Sequence, residues 1–129
     1  MSAPRRSILI AETDGFQRAA VSRLLESAGF RVTAASTFDE AQQELLANPP
    51  DILITGLKLG AYNGLHLVVR SRIQHPETPA IVVSQVADSV LAAEARRQHA
   101  AFLVRPLDTG QLLPAVTNSL KAPAVKEGA

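Results

Sequence analysis

Five short aliphatic runs, each followed by a segment of helical character, constrain this chain more than any other feature. The runs are SILIA (7–11), FRVTAAS (30–36), DILITG (51–56), PAIVVS (79–84) and AFLV (101–104). They are too short for core helices and rich in Val, Ile and Leu, as strands buried on both faces are. Strands that alternate strictly with helices predict a parallel sheet covered on both sides. Right-handed crossovers leave few arrangements open.

The intervening segments carry helix signals. Phe16, Ala20, Leu24 and Leu25 recur at helical spacing after the first strand, and Gly29 is placed to end that helix. Thr37 stands three residues before Glu40, a capping-box pattern, and Pro49–Pro50 closes the second helix. The third helix is expected over 64–75, stopped by Pro76. The fourth is expected over 88–100, with Val90, Leu91 and Ala95 facing inward. The last is expected over 108–121, with Asp108 as N-cap and Pro114 inside it, where a kink or early break is predicted. Residues 7–121 therefore form one domain, and APAVKEGA (122–129) reads as a frayed tail or the start of a linker.

Composition narrows the function classes. A chain of 129 residues, 47% apolar and 19% charged, can build one core without metals or disulfides. Thirteen basic and twelve acidic residues give a net charge of +1, too balanced to argue for nucleic acid or membrane binding. Arg5 and Arg6 precede an apolar run, but it ends at Glu12, short of the roughly 7–15 residues of a secretory core and the roughly 20 of a membrane span. With no cysteine, disulfides and thiolate metal sites are excluded, and a cytoplasmic protein is expected.

In a sheet of this kind, functional groups gather beyond the C-terminal ends of the strands. Those ends carry Glu12-Thr13-Asp14, Gly56-Leu57-Lys58, Ser84-Gln85 and Arg105-Pro106. Over roughly residues 7 to 120 this order resembles the receiver domain of bacterial response regulators. ILIAETD is similar to the family's first strand and acidic turn. PPDILITGLKLGAYNG keeps its Pro-Asp opening and Gly64, TPAIVVSQ keeps a proline and the hydroxyl as Ser84, and AAFLVRPLD keeps an aromatic at Phe102 and a proline at Pro106. The resemblance implies a flavodoxin-like three-layer α/β fold, with five parallel strands in the order 2-1-3-4-5, five helices and a cis bond before Pro106. It also implies two-component signalling, in which a histidine kinase phosphorylates an aspartate ending the third strand beside a magnesium ion held by acids.

The chemical positions depart from that pattern. The acceptor position is Gly56, which offers no nucleophile. Thr55 is adjacent, but strand alternation sends it to the opposite face. The acid pair is Glu12 and Thr13, and one carboxylate is a poor start for magnesium. The phosphate-binding lysine is replaced by Arg105, a planar fork in place of a point charge. The expectation is a pseudo-receiver, not an enzyme, with Glu12, Thr13, Gly56, Ser84 and Arg105 as vestiges of a phosphorylation site. It is expected to need no cofactor, and its magnesium binding is expected to be absent or weak. Arg105 or Lys58 is expected to pair with Glu12 and fill the vacated pocket, and Ser84 to bond nearby backbone.

His66, His75 and His99 have no metal-ligand spacing, so they are expected on the surface and no metal is expected. Arg96, Arg97 and His99 suit the C-terminal dipole of the fourth helix. With Phe102 they also lie on the face of helix 4, strand 5 and helix 5, which the family uses for dimers and outputs, so a protein partner or self-association is expected there. The competing reading is a small doubly wound enzyme or nucleotide binder. It lacks a glycine-rich phosphate loop, since ETDGFQ has one glycine, and it lacks a recognisable catalytic set.

Overall fold

The computed structural model describes residues 5–107 and 109–121. Its elements run β1 (Ser7–Ala11), α1 (Gly15–Ser27), β2 (Arg31–Ala35), α2 (Phe38–Ala47), β3 (Ile52–Gly56), β4 (Lys58–Leu59), β5 (Tyr62–Asn63), α3 (Gly64–Gln74), β6 (Ala80–Ser84), α4 (Ser89–Arg97), β7 (Ala100–Val104) and α5 (Thr109–Lys121). The main sheet is parallel throughout, ordered β2-β1-β3-β6-β7. Counting only that sheet's strands, this is the expected 2-1-3-4-5 arrangement.

Alternation along the strands divides the core. Ile8, Ile10, Ile52, Ile54, Ile81 and Val83 face Leu25 of α1 and Leu112 and Val116 of α5. Leu9, Ala11, Leu53, Ala80 and Val82 face the other way, onto Phe38, Ala41 and Leu45 of α2, Leu67 and Val68 of α3, and Ala95 of α4. The result is a three-layer sandwich with two helices on one face and three on the other. At the bottom of the sheet Asp51 ties two strands together: its Oδ2 accepts from the Ser7 backbone N–H at 2.7 Å, and its own N–H donates to the Ser7 carbonyl at 2.9 Å.

The helix ends follow local chemistry. Asp14 caps α1 by accepting from the Gln17 N–H, and Asp88 caps α4 by accepting from Val90 and Leu91. α1 ends in a Schellman arrangement: Phe30 N–H donates to the Leu25 carbonyl and Gly29 N–H to Glu26, with Gly29 at φ +99°. Thr37 accepts from the Glu40 N–H as the capping box requires, but the Glu40 carboxylate reaches one residue further back, to the N–H and hydroxyl of Ser36. Those bonds hold its carboxyl below the usual glutamate range.

Several expectations need correction. Between β3 and α3, where no element is expected from the sequence, Lys58–Leu59 and Tyr62–Asn63 pair as a small antiparallel ribbon. Phe16 is 81% exposed, and the inward side of α1 is carried by Val21, Leu24 and Leu25. Val90 is 72% exposed, because α4 turns only Leu91 and Ala95 toward the core. α4 stops at Arg97, three residues early, with His99 in the left-handed region at φ +58°. α5 continues through Pro114 to Lys121, so no break occurs; proline there forgoes one backbone bond. The N-cap expected at Asp108 and the tail 122–129 lie outside the described residues.

Gly64 is a point of close approach between layers. It opens α3 against β3, and its N–H donates to the Leu57 carbonyl at 2.7 Å. A Cβ on residue 64 would collide with the Gly56 carbonyl oxygen and lie 2.8 Å from Thr55 Oγ1. Gly64→Ala is therefore expected to lower stability by about 1–3 kcal/mol through overpacking. Urea denaturation would show a lower midpoint with an unchanged slope; an unchanged midpoint would contradict the packing described.

Candidate functional site

The C-terminal edge of the sheet opens into a pocket of about 570 Å³. Glu12, Thr13 and Asp14 line it after β1, Gly56, Leu57 and Lys58 at the end of β3, Ser84, Gln85 and Val86 after β6, and Arg105 after β7. The topology thus brings Glu12, Thr13, Gly56, Ser84 and Arg105 into one place.

Its floor is an ion pair. Arg105 Nη2 donates to Glu12 Oε1, and the two side chains are 14% and 7% exposed. Glu12 follows β1 and Arg105 follows β7, with β3 and β6 between them. Three inter-strand spacings of about 4.8 Å separate the two backbones, so two long side chains must reach toward each other to meet. Their path crosses Gly56. A Cβ on residue 56 would stand 3.2 Å from Glu12 Oε1, closer than most real Cβ contacts, and 3.6 Å from its carboxyl carbon. The glycine leaves room for the glutamate to lean across the end of β3.

Each oxygen of the Glu12 carboxylate already accepts one hydrogen bond. Oε2 accepts from the Asp14 N–H at 3.1 Å while Oε1 takes the arginine. The loop is held further by Arg18, whose Nη1 donates to the Glu12 carbonyl at 2.9 Å. On the far side Arg105 N–H donates to the Ser84 carbonyl at 2.8 Å, and the Arg105–Pro106 peptide bond is cis. Ser84, 1% exposed, donates its hydroxyl proton to the Val86 carbonyl at 2.7 Å and accepts from the Val86 N–H at 3.2 Å. Thr55 is fully buried and donates to the Gly56 carbonyl at 2.9 Å.

Lys58, expected as an alternative partner for Glu12 and as a pocket filler, is instead exposed at the rim, where its backbone pairs with Asn63 in the ribbon. Neither cation fills the pocket, because Arg105 lies along its floor. Farther away, Arg97 pairs with Glu94 on its own helix, which holds that carboxyl below the usual range. Arg96 and His99 are exposed, while Phe102 is half-buried and packs with Leu91 against the core.

The chain matches the response regulator receiver domain over residues 8–117. It belongs to that family. A receiver domain is a two-component signalling module, and its relatives here are longer proteins. The chain is 29% identical over 128 residues to the transcriptional regulatory protein FixJ of Bradyrhizobium diazoefficiens, covering 95% of this chain and 61% of that one. It is 26% identical over 112 residues to the DNA-binding transcriptional regulator NtrC of Klebsiella pneumoniae, covering 86% of this chain and 24% of NtrC. The chain thus spans about a quarter of the NtrC regulators it matches. A CheY-like receiver domain protein from Methanospirillum hungatei superposes with a TM-score of 0.85 at 21% identity, covering 91% of this chain and 94% of that one. That likeness concerns the fold.

The magnesium ion that the family implies can be tested against this receiver's own donors. A hard divalent cation wants several free oxygens, normally including one or two carboxylates. Both oxygens of Glu12 are engaged, Asp14 Oδ1 caps α1, and residues 13 and 56 supply no carboxylate. Among the described residues no cluster of three or more His, Asp or Glu side chains is placed to hold a metal. This donor set does not fit the ion.

Two outcomes are expected for variants of this site. Arg105→Met should destabilise the fold by up to about 3–5 kcal/mol, because it strands a buried carboxylate, while adding Glu12→Gln should recover most of the loss. Urea denaturation of the two variants checks this; equal losses in both would contradict a coupled pair. Gly56→Asp should not restore efficient phosphorylation by a small phosphodonor, since the new side chain meets the Glu12 carboxylate and position 13 still lacks one. Intact-protein mass measurement would reveal the acyl phosphate that contradicts this.

Proposed function

We propose that this receiver is a pseudo-receiver, one that signals by binding a protein partner without being phosphorylated. The observation that supports it is the Glu12–Arg105 pair crossing Gly56: the position of a phosphoacceptor has no side chain, and a neighbouring carboxylate occupies the space above it. An intramolecular cation and anion stand where a metal and a phosphoryl group would be bound, and the Ser84 hydroxyl is spent on Val86. No residue in the pocket forms a nucleophile–base pair, so nothing favours the enzyme alternative.

The partner surface in this reading is the face of α4, β7 and α5, with Arg96, Arg97, His99 and Phe102 as contact candidates. Arg96 brings an exposed charge with no partner among the described residues. Arg97 brings one already shared with Glu94. Phe102 contributes from beneath, since it packs inward and supports the surface more than it presents it. Because β7 leads directly into Arg105, the pair holds the edge of this face in one arrangement.

Sedimentation of the protein, and recovery of binding partners, with and without acetyl phosphate and magnesium, tests the proposal. Association should be the same in both conditions. Charge reversal at Arg96 and Arg97 should weaken it by roughly tenfold or more. Association that appears only with the phosphodonor, or that ignores the charge reversal, would sink the proposal.

A further inference from the structure

Arg105 carries a donor that its pairing with Glu12 does not use. Its Nε is shut off from solvent and has no acceptor among the described residues. Beneath the ion pair lies a second, much smaller cavity of about 10 Å³, bounded by Glu12, Gly56 and Arg105 and by the apolar side chains of Val21, Ile54 and Val83. That volume admits one water molecule and nothing larger. Glu12 and Ala11 both border this cavity, and the point where a Cβ of residue 56 would stand is 3.2 Å from Glu12 Oε1 and 3.7 Å from the Ala11 carbonyl oxygen.

We propose that a single internal water is a fixed component of this protein, seated beside Gly56 where a side chain would otherwise project. It accepts from Arg105 Nε–H and donates to the Glu12 carboxylate and the Ala11 carbonyl, whose second lone pair is available for it. Three bonds are the usual complement of a buried water. A guanidinium N–H buried without an acceptor is costly, and the apolar walls offer it none. Water is the one ligand that fits both the size of the cavity and its mixture of one donor and two acceptors. Position 56 is thereby a binding site for water, and the glycine is what keeps it open.

The test is a high-resolution crystal structure of the whole chain, with oxygen-17 relaxation dispersion in solution to count long-lived internal waters. An ordered water within hydrogen-bond distance of Arg105 Nε is expected. In Gly56→Ala the methyl takes its place, and one long-lived water should disappear. Should that variant fail to fold, the wild-type density decides alone. A wild-type map with no density beside Nε, or with Nε bonded to a protein acceptor, would overturn the proposal. So would an undiminished count of long-lived waters in a folded Gly56→Ala protein.

Discussion

The buried pair between Glu12 and Arg105 is the interaction on which the upper edge of this sheet depends. It joins the first strand to the last across two others, and it runs where a longer residue at position 56 would stand. Everything around it is arranged to suit. Asp14 and Arg18 hold the Glu12 loop by its carboxylate and its carbonyl. The Ser84 carbonyl fixes the start of the Arg105 loop, and the Ser84 hydroxyl turns to Val86.

Such a pair is weak grounds for stability in itself. Desolvating two charges consumes much of their attraction, and a well-packed apolar replacement is often as stable. Its value lies in geometry. Neither partner can leave without stranding the other in a site that is almost closed to water, so the ends of β1 and β7 keep one relation. In a phosphorylated receiver a covalent group and a metal would have to be added and removed to set that relation. Here the chain's own side chains set it.

The sheet order and the helix count were legible because several levels of the sequence agree. Aliphatic runs, Gly29, the Pro49–Pro50 stop and the cap at Thr37 all name the same elements. What was not legible lay where periodicity leaves two choices. Phe16 fits an inward spacing, yet the stripe that packs begins at Val21. Val90 fits as well as Leu91, yet one helix turn buries only one of them. The β4–β5 ribbon escaped notice because two-residue strands carry no period. For the site, residue identity placed Glu12, Gly56, Ser84 and Arg105 together, but it could not choose between Arg105 and Lys58 as the cation for Glu12. That choice follows from the ribbon, which carries Lys58 outward. Nor could it show that glycine at 56 is what gives Glu12 its place; only the distance from its missing Cβ does so.

The central claim is that the groups that would bind phosphoryl and metal are already taken up by one another. It is tested most directly by recording amide 1H–15N resonances while magnesium and beryllofluoride, a mimic of the phosphoryl group, are added together. The account predicts unchanged positions for the amides of Glu12, Thr13, Asp14, Gly56, Leu57, Lys58, Ser84 and Arg105. Saturable shifts concentrated at those residues, spreading to α4 and β7, would contradict it.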